Sequence, residues 1–214
     1  MADFAVVGMG RFGRAVARSL AEEGQSVLAV DRDPERLRAV AGDVDAVAAV
    51  DMTDEEAVAA LRLERMSCVV VAIGSRATEA SLLTTAILRR FAVSRIVARA
   101  FDERHARVLL AIGADEVLNP EDEIGQRLAL RLAHPDLLDQ IRLGDALIAE
   151  VEAPEAWVGE SLGDLYEAHR IATLALRRGG ATDSDPRPEE RVASGDVLVL
   201  MGRGDTIRRV AALK

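Results

Sequence analysis

The 214-residue sequence has one cysteine and few aromatic residues, and its charge is unbalanced toward acid. A single cysteine excludes a disulfide within one chain, and Cys68 lies in an apolar run, where a buried structural thiol is expected. The formal net charge of −9 lacks the positive field that attracts phosphate backbones, so we predict no nucleic-acid partner. No apolar run approaches the roughly 18 residues that span a bilayer, and no signal peptide opens the sequence, so we expect a cytoplasmic protein.

Side chains for catalysis are also sparse. The three histidines, His105, His134 and His169, are scattered without metal-ligand spacing, so no zinc site is predicted. A dehydrogenase needs an acid-base group beside its nicotinamide, but Tyr166 and His169 near the carboxyl end have no residue that pairs them. A kinase-like P-loop motif is absent as well. The sequence therefore predicts a protein that binds its ligand without converting it.

A glycine motif follows the first apolar run directly. Gly8, Gly10 and Gly13, with Met9 inside, have the spacing G-x-G-x-x-G. In a β-α unit these glycines permit a tight turn, a close approach of the backbone to a pyrophosphate, and close helix packing. Asp31 ends the next apolar run, where a carboxylate accepts hydrogen bonds from ribose and disfavours a 2′-phosphate. This predicts an unphosphorylated ribose nucleotide; the alternative is a packing turn followed by an ordinary strand-end aspartate.

Short apolar runs alternate with helical patterns through residues 1–135. Continuously apolar strands separated by helices favour a parallel sheet covered on both faces, which is a Rossmann-like, doubly wound α/β domain. The first strand is predicted to end at Val7, and the others lie near 26–31, 45–50, 68–73, 95–99 and 116–118. Helices are predicted near 11–23, from 34, from 54, at 78–91, at 103–112 and after 119.

Pro135 is expected to kink or restart the last of these helices, so we place a domain boundary there. Residues 136–214 then form a small α+β domain. Its polar loop, 179–191, has little apolar area to bury, and we expect it to be mobile. Strands are predicted at 146–151, 171–177 and 197–201, and short helices at 161–169 and from 205.

Three arginines are candidate ligand contacts. Arg11 places a cation at the positive end of a helix dipole, which a bound polyphosphate would compensate; the alternative is an outward side chain in water or in a surface ion pair. Arg32 is placed to stack on adenine or to remain solvated. Arg99 ends the fifth strand, at the sheet edge where ligands bind, and contacts either a phosphate or a structural carboxylate.

Two strand ends and one helix start complete the candidate site. Ala72, Ile73 and Gly74 are expected to form the crevice floor near ribose and phosphates. The segment Asp51, Met52 and Thr53 is expected beside the base; either segment could instead be ordinary turn chemistry, with Thr53 capping the next helix. Glu121 is a candidate ligand of a divalent cation shared with nucleotide phosphates. Its alternative is structural, because Asn119 caps this helix, Pro120 begins it and the acids complement its dipole.

The sequence resembles a known family, the regulator-of-conductance-of-potassium (RCK) subunits of bacterial Ktr and Trk potassium-uptake systems. The resemblance covers nearly the whole chain. Its motifs are GMGRFG at 8–13, Val30-Asp31, VVVAIG at 69–74, Ile112-Gly113-Ala114-Asp115, Asn119-Pro120-Glu121, Leu162-Gly163-Asp164-Leu165, and Gly195-Asp196-Val197-Leu198 with Gly202.

The resemblance implies a cytoplasmic, non-catalytic gating ring, peripheral at the inner face of the membrane. Homodimers would assemble into an octamer that docks on a membrane potassium-translocating subunit. Arg11 and Phe12 look like the Ktr-type regulators, which bind ATP or ADP, whereas Trk-type relatives more often bind NAD or NADH. By position, Arg11 would face phosphates, including those of the dimer partner, and Glu121 would help hold Mg²⁺ or another cation near the γ-phosphate.

Other implications of the resemblance are less specific. Asp31 would hold ribose, and Arg99 stands where relatives often have a basic residue. Some carboxyl-terminal domains of the family bind cyclic di-AMP, but the required pattern is not matched here. Two other classes of function stay open at this stage: an NAD-dependent oxidoreductase, which Asp31 permits, and a metabolic nucleotide-binding module unrelated to transport.

Overall fold

A computed structural model describes residues 3–74, 77–133 and 137–211. The chain divides into two compact units, Met1–Glu123 and Ile124–Lys214. The strands of the first unit are β1 (Phe4–Val7), β2 (Val27–Asp31), β3 (Ala46–Ala49), β4 (Cys68–Val71), β5 (Ile96–Arg99) and β6 (Glu116–Leu118). They form one parallel sheet in the order β3-β2-β1-β4-β5-β6, which confirms the predicted doubly wound fold.

Helices follow the strands as the alternating pattern predicts. They are α1 (Arg11–Glu22), α2 (Pro34–Arg38), α3 (Glu55–Leu61), α4 (Thr78–Arg90), α5 (Glu103–Ala111) and α6 (Pro120–Ala133). Local sequence fixes several starts, since Asp33 caps α2 ahead of Pro34 and Asp102 caps α5. The carboxylate of Asp54 accepts from the N–H groups of two α3 residues, so the proposed capping role of Thr53 is wrong.

The central strands β1, β2, β4 and β5 are buried on both faces, which explains why their sequences are continuously apolar. The edge strands β3 and β6 are exposed or half-buried. Successive residues of β1 point to opposite layers: Ala5 and Val7 join a core with Val58, Leu88 and Leu109 of α3, α4 and α5. The other layer, which α1 and α2 cover, contains Val6, Met9, Ala17, Val27, Ala29, Leu37, Val40, Cys68, Val70, Ala72 and Val97. The sheet therefore has a packed core on each face.

The second unit is built on an antiparallel sheet. Its elements are β7 (Leu137–Leu143), β8 (Ala146–Glu152), α7 (Leu162–His169), β9 (Ala172–Arg178), β10 (Ala181–Asp183), β11 (Val197–Arg203) and α8 (Gly204–Ala211). The strand order is β10-β9-β11-β8-β7. A separate core, which includes Trp157, Leu165, Leu198 and Ile207, confirms the expected small α+β architecture.

One expectation for this unit is wrong. Part of the loop 179–191 is ordered structure, because β10 pairs with β9 across Gly179 and Gly180, whose φ values are 56° and 85°. Positive φ at both positions is the geometry of a two-residue hairpin turn. Residues 137–143, for which no strand is predicted, form β7, an edge strand in a hairpin with β8.

An ion pair between a partly exposed arginine and a buried carboxylate joins β9 to the segment before β11. The guanidinium of Arg178, at the end of β9, donates from Nε and Nη2 to the carboxylate of Asp196 at 2.8 and 2.7 Å. Asp196 precedes β11, is fully buried, and also accepts from the Ala193 N–H. Arg178 further donates to Glu190 and to the Arg191 carbonyl. These bonds hold the pKa of Asp196 below its usual range and fix the 190–196 segment.

The predicted boundary at Pro135 lies outside the described residues, and it stays a prediction. The division of the chain by packing falls earlier, within α6, between Glu123 and Ile124. Among the described residues, no helix is long and apolar enough to cross a membrane.

Candidate functional site

Two of the three motif glycines are required by the fold itself. Gly8 has φ 96°, and a Cβ there would lie 3.1 Å from backbone atoms of Ala72 and Ile73. A Cβ on Gly13 would lie 1.9 Å from the Gly8 carbonyl oxygen, well inside any allowed contact. The turn and the packing of α1 on the sheet therefore account for both positions.

Gly10 has no such explanation. A Cβ at this position would meet nothing within 4 Å among the described residues. Gly10 occupies the N-cap of α1 in an extended conformation, no side chain caps the helix, and no acidic residue lies in its first turn. The N–H groups of that turn thus face an open space beside a glycine, and this arrangement suits an anion.

Asp31 is bound to the glycine loop. Its Oδ2 accepts the Met9 N–H at 2.6 Å, and its Oδ1 accepts the Asp33 N–H at 2.9 Å. The residue is 6% exposed, and the Arg36 guanidinium lies 3.6 Å from Oδ2. Asp31 therefore positions the loop, and the carboxylate retains further lone pairs for a ligand hydroxyl. Neither this positioning role nor the proximity of Arg36 is predicted from the sequence, because both depend on long-range packing.

Arg11 and Arg32 are exposed at this edge of the sheet. Neither makes a hydrogen bond or an ion pair to any residue that the structure describes. Arg11 begins α1, so its charge opposes the positive end of the helix dipole with no local anion. Hydrogen bonds from the Thr53 N–H and hydroxyl lower the pKa of Asp51, and the Arg32 charge adds to this effect.

Two methionines proposed as site residues point into the core. Met9 is 1% exposed and Met52 is 4% exposed, so each offers a ligand only its backbone. The neighbours of Met52 form a turn: the Asp51 carboxylate accepts from the N–H and the hydroxyl of Thr53, at 3.0 and 2.8 Å. Asp51 is exposed and Thr53 is half-buried beyond β3, which fits the simple turn chemistry considered above.

The end of β4 forms a floor beneath the glycine loop. Ala72 is buried, and its N–H donates to the Val7 carbonyl at 2.7 Å. Ile73 is half-buried against the core, and Gly74 is exposed, with its carbonyl accepting from Ala77. Ala72 and Ile73 therefore contact Gly8, while the next residue, Ser75, lies outside the described residues.

Arg99, Glu121 and Phe12 come together although they are far apart in sequence. Arg99 ends β5, and its guanidinium pairs with the Glu121 carboxylate in the first turn of α6. The Arg99 Cζ also lies 5.5 Å from the centroid of the Phe12 ring, within cation–π range. The structure contains the ion pair of the structural alternative for Arg99, and the phosphate contact stays a prediction. Arg99 and Glu121 meet because β5 and β6 are adjacent parallel strands, and the Phe12 ring belongs to the first turn of α1.

The first turn of α6 also follows its structural alternative. Asn119 donates to the Asp122 carboxylate at 2.5 Å, and its own side-chain oxygen lies 3.4 Å from the Asp122 nitrogen. Pro120 is the first helical residue, and three acids follow it. The described residues contain no group of three or more His, Cys, Asp and Glu side chains that could hold a metal ion. Glu121 alone therefore forms no protein-only metal site.

The fold and this edge define a class: a doubly wound α/β unit with a glycine loop, followed by a small antiparallel α+β unit. Family models assign residues 4–120 to the TrkA-N domain and residues 146–214 to the TrkA-C domain. The chain belongs to the family of Ktr and Trk potassium uptake proteins. It is 33% identical over 210 residues to Ktr system potassium uptake protein C of Bacillus subtilis, covering 97% of this chain and 95% of that one. It is 34% identical over 208 residues to Ktr system potassium uptake protein A of Vibrio alginolyticus, covering 96% and 94%.

Solved structures show the same fold. The GsuK channel matches 99% of this chain with a TM-score of 0.71 at 18% identity, and the match spans 39% of the channel chain. The GsuK channel bound to NAD matches with a TM-score of 0.66, and GsuK bound to ADP with 0.56, at 16% and 18% identity. These matches cover 99% and 64% of this chain, and 39% and 36% of the GsuK chains.

Proposed function

We propose that this chain is a cytoplasmic regulatory subunit that binds an adenine nucleotide at its glycine loop and thereby controls a membrane potassium-translocating partner. The observation that carries the proposal is the open α1 start. Gly8 and Gly13 serve the fold, whereas Gly10 leaves room for a ligand beside uncapped N–H groups. The names of the relatives supply the transport system.

ATP and ADP are the preferred ligands in this proposal. Arg11 is a cation at the start of α1 that pairs with no residue the structure describes, and an additional phosphate adds negative charge for it to bind. Exchange of ATP for ADP can shift an assembly between two states only through a difference in affinity for those states. The γ-phosphate is the one group that differs, so a switch would depend on its contacts.

NAD(H) is the alternative ligand, and Asp31 favours it equally. The carboxylate of Asp31 suits ribose hydroxyls and repels a 2′-phosphate, so NADP should bind more weakly than NAD or ATP. GsuK structures bound to NAD and to ADP exist for the same fold. A second function as an oxidoreductase gains no support, because the relatives are named as potassium uptake proteins.

A divalent cation such as Mg²⁺ would bind at Glu121 only together with the nucleotide. Hard cations take six or more oxygen ligands, and Glu121 supplies one carboxylate. Since the described residues offer no group of three metal-binding side chains, phosphate oxygens, water or a second subunit must supply the rest. The cation would neutralise phosphate charge and join Glu121 to the ligand.

We further propose a homodimer that assembles into an octameric ring. Ile124, Leu128 and Leu132 recur every four residues on α6 and are 67%, 43% and 71% exposed. Such a stripe lies on one helix face and would be covered by a second copy. Light scattering at micromolar concentration should give multiples of two. The double variant Ile124→Glu, Leu132→Glu should dissociate the protein, while Val47→Glu, at an exposed position of β3, should not.

Native nucleotide identification is the direct test of the whole proposal. Mass spectrometry of small molecules released from protein purified without added nucleotide should find ADP, ATP or NAD. Calorimetry should then show one site per chain, and Asp31→Ala should weaken binding by about 1.5–3 kcal/mol for each charge-assisted hydrogen bond lost. Tighter binding of NADP than of NAD or ATP would contradict the role of Asp31, and absence of all nucleotide binding would overturn the proposal.

A further inference from the structure

The Arg99 guanidinium is held between the glycine loop and α6. Its side chain is 18% exposed, whereas the Glu121 side chain that pairs with it is 60% exposed. A single Nη2 to Oε1 contact joins the two groups, although an arginine presents five N–H donors. The guanidinium also lies over the Phe12 ring of α1. Arg99 therefore retains donors for a second anion while Glu121 neutralises its charge.

A phosphate at the glycine loop would lie beside this cation. Phe12 is the second residue of α1, so the ring that lies 5.5 Å from the guanidinium belongs to the first turn of that helix. Phosphate oxygens match the planar arginine fork in a bidentate manner and carry more charge than one carboxylate. Arg99 would gain by turning from Glu121 toward that phosphate.

We propose that Glu121 competes with the nucleotide phosphate for Arg99, so that the Arg99–Glu121 ion pair and phosphate binding weaken one another. The proposal rests on the nucleotide site proposed above. Binding would release the Glu121 carboxylate in the first turn of α6. Helix α6 contains the division between the two units, at Glu123 and Ile124. Loss of the Arg99–Glu121 ion pair on ligand binding would therefore change the contacts of the first turn of this helix.

Removing the competitor should tighten binding. Glu121→Gln should raise the affinity for ADP and for ATP about three- to fivefold, measured by calorimetry with EDTA present to remove divalent cations. The matched control is Glu116→Gln, which breaks the Arg95–Glu116 ion pair at the opposite end of β5 and β6 and should leave affinity unchanged. An unchanged or weaker affinity in Glu121→Gln would overturn the competition.

A double-mutant cycle separates competition from simple charge repulsion. Arg99→Gln should weaken ADP binding about tenfold, and adding Glu121→Gln to it should then have no effect, because Glu121 acts through Arg99. A gain of the same size in both backgrounds would mean through-space repulsion and would overturn the proposal.

If Arg99→Gln does not fold, Arg99→Lys replaces it. A lysine cannot bind phosphate in the bidentate manner of arginine, so the gain in affinity from Glu121→Gln should be smaller in the Arg99→Lys background. Wild-type protein that binds no nucleotide contradicts the proposed function; wild-type binding with a flat cycle contradicts only the competition.

Discussion

Arg178 in the second unit and Arg11 in the first stand in opposite electrostatic situations. Arg178 donates to a fully buried carboxylate, to a second acid and to a carbonyl, and so ties β9 to the segment before β11. Arg11 is exposed, opposes a helix dipole and has no bonded partner among the described residues. The first arginine serves the architecture. The second makes no bond within the described architecture, and the nucleotide proposed above would supply an anion for it.

The glycine motif repeats this contrast within a few residues. Gly13 fills a position where a Cβ would strike the Gly8 carbonyl, whereas Gly10 faces open space. Gly13→Ala should therefore destabilise the first unit by more than about 3 kcal/mol, because backbone must move. Gly10→Ala should change stability by about 0.5 kcal/mol or less but weaken nucleotide binding. Chemical denaturation and calorimetry measure both; equal destabilisation by the two variants would erase the distinction.

Loss of Arg178 should have the next largest effect. Arg178→Met leaves the buried Asp196 carboxylate without its charge partner and should cost about 2–4 kcal/mol of stability in the second unit. The matched control is Arg203→Met, since Arg203 is 80% exposed and its one ion-pair partner among the described residues is the exposed Asp205. That change should stay within about 0.5 kcal/mol. Denaturant midpoints of the two variants decide the matter, and a silent Arg178→Met would remove the structural role of this pair.

Much of the first unit was predictable because its signal is local. Six apolar runs and their helix starts appear in consecutive sequence, so a doubly wound sheet followed without knowledge of any contact. The β9–β10 hairpin was also predictable, because Gly179-Gly180 is typical of a two-residue hairpin turn. The polar residues that follow favoured a loop instead, and the hairpin was not predicted. In β7, which follows Pro135, apolar and polar residues do not alternate regularly, so the sequence does not predict a strand. The strand forms because it pairs with β8.

The site was less predictable because its decisive contacts are long-range. The residue types and the sheet edge followed from the motif, but the bond from the Met9 N–H to Asp31 depends on how closely β1 and β2 pack. Arg99 and Glu121 meet because β5 and β6 are neighbours, and sequence left both partners open. For Met9 and Met52, position in the motif suggested ligand contact, whereas packing turned their side chains into the core.

Mild acid should affect the two units differently. His105 of α5 is 4% exposed, stacks on Phe101 and has no hydrogen bond on either ring nitrogen among the described residues. Burial lowers its pKa below 6.5, and the Asp102 charge opposes this shift. A lowered folded-state pKa means that its stabilising contribution is complete above about pH 6.5 and is lost as the pH falls toward the folded value.

In the second unit, Arg178 lowers the pKa of Asp196 below 3.8, so that contribution persists until stronger acid. Hydrogen exchange followed by mass spectrometry from about pH 7 to pH 5 should therefore show the first unit loosening before the second. His105→Phe, which keeps a ring beside Phe101, should flatten this dependence. An identical pH profile in the wild type and His105→Phe would exclude His105 as its cause.

Arg11 carries the smallest expected effect on stability and the sharpest functional test. Without a ligand its charge opposes the α1 dipole, so Arg11→Ala should stabilise the first unit by a few tenths to about 1 kcal/mol. Bound phosphate reverses this sign, because the guanidinium then pairs with an anion. If Arg11 reaches phosphates held by a neighbouring subunit, its contact is worth more for a triphosphate than for a diphosphate, which gives the differential affinity a switch requires.

Parallel titrations of Arg11→Ala with ATP and ADP, with scattering profiles in each nucleotide, resolve this. Selective loss of ATP affinity together with loss of an ATP-specific particle shape makes Arg11 the sensor of the third phosphate. Equal loss for both nucleotides reduces it to a general phosphate ligand.

The matched control is Arg14, which is half-buried one turn further along α1. Its side chain also has no bonded partner among the described residues. Arg14→Ala lies farther from the uncapped N–H groups and should change neither the ATP to ADP ratio nor the shape. Unchanged affinity in Arg11→Ala would mean that its charge is simply solvated, and the contrast with Arg178 would then carry no functional meaning.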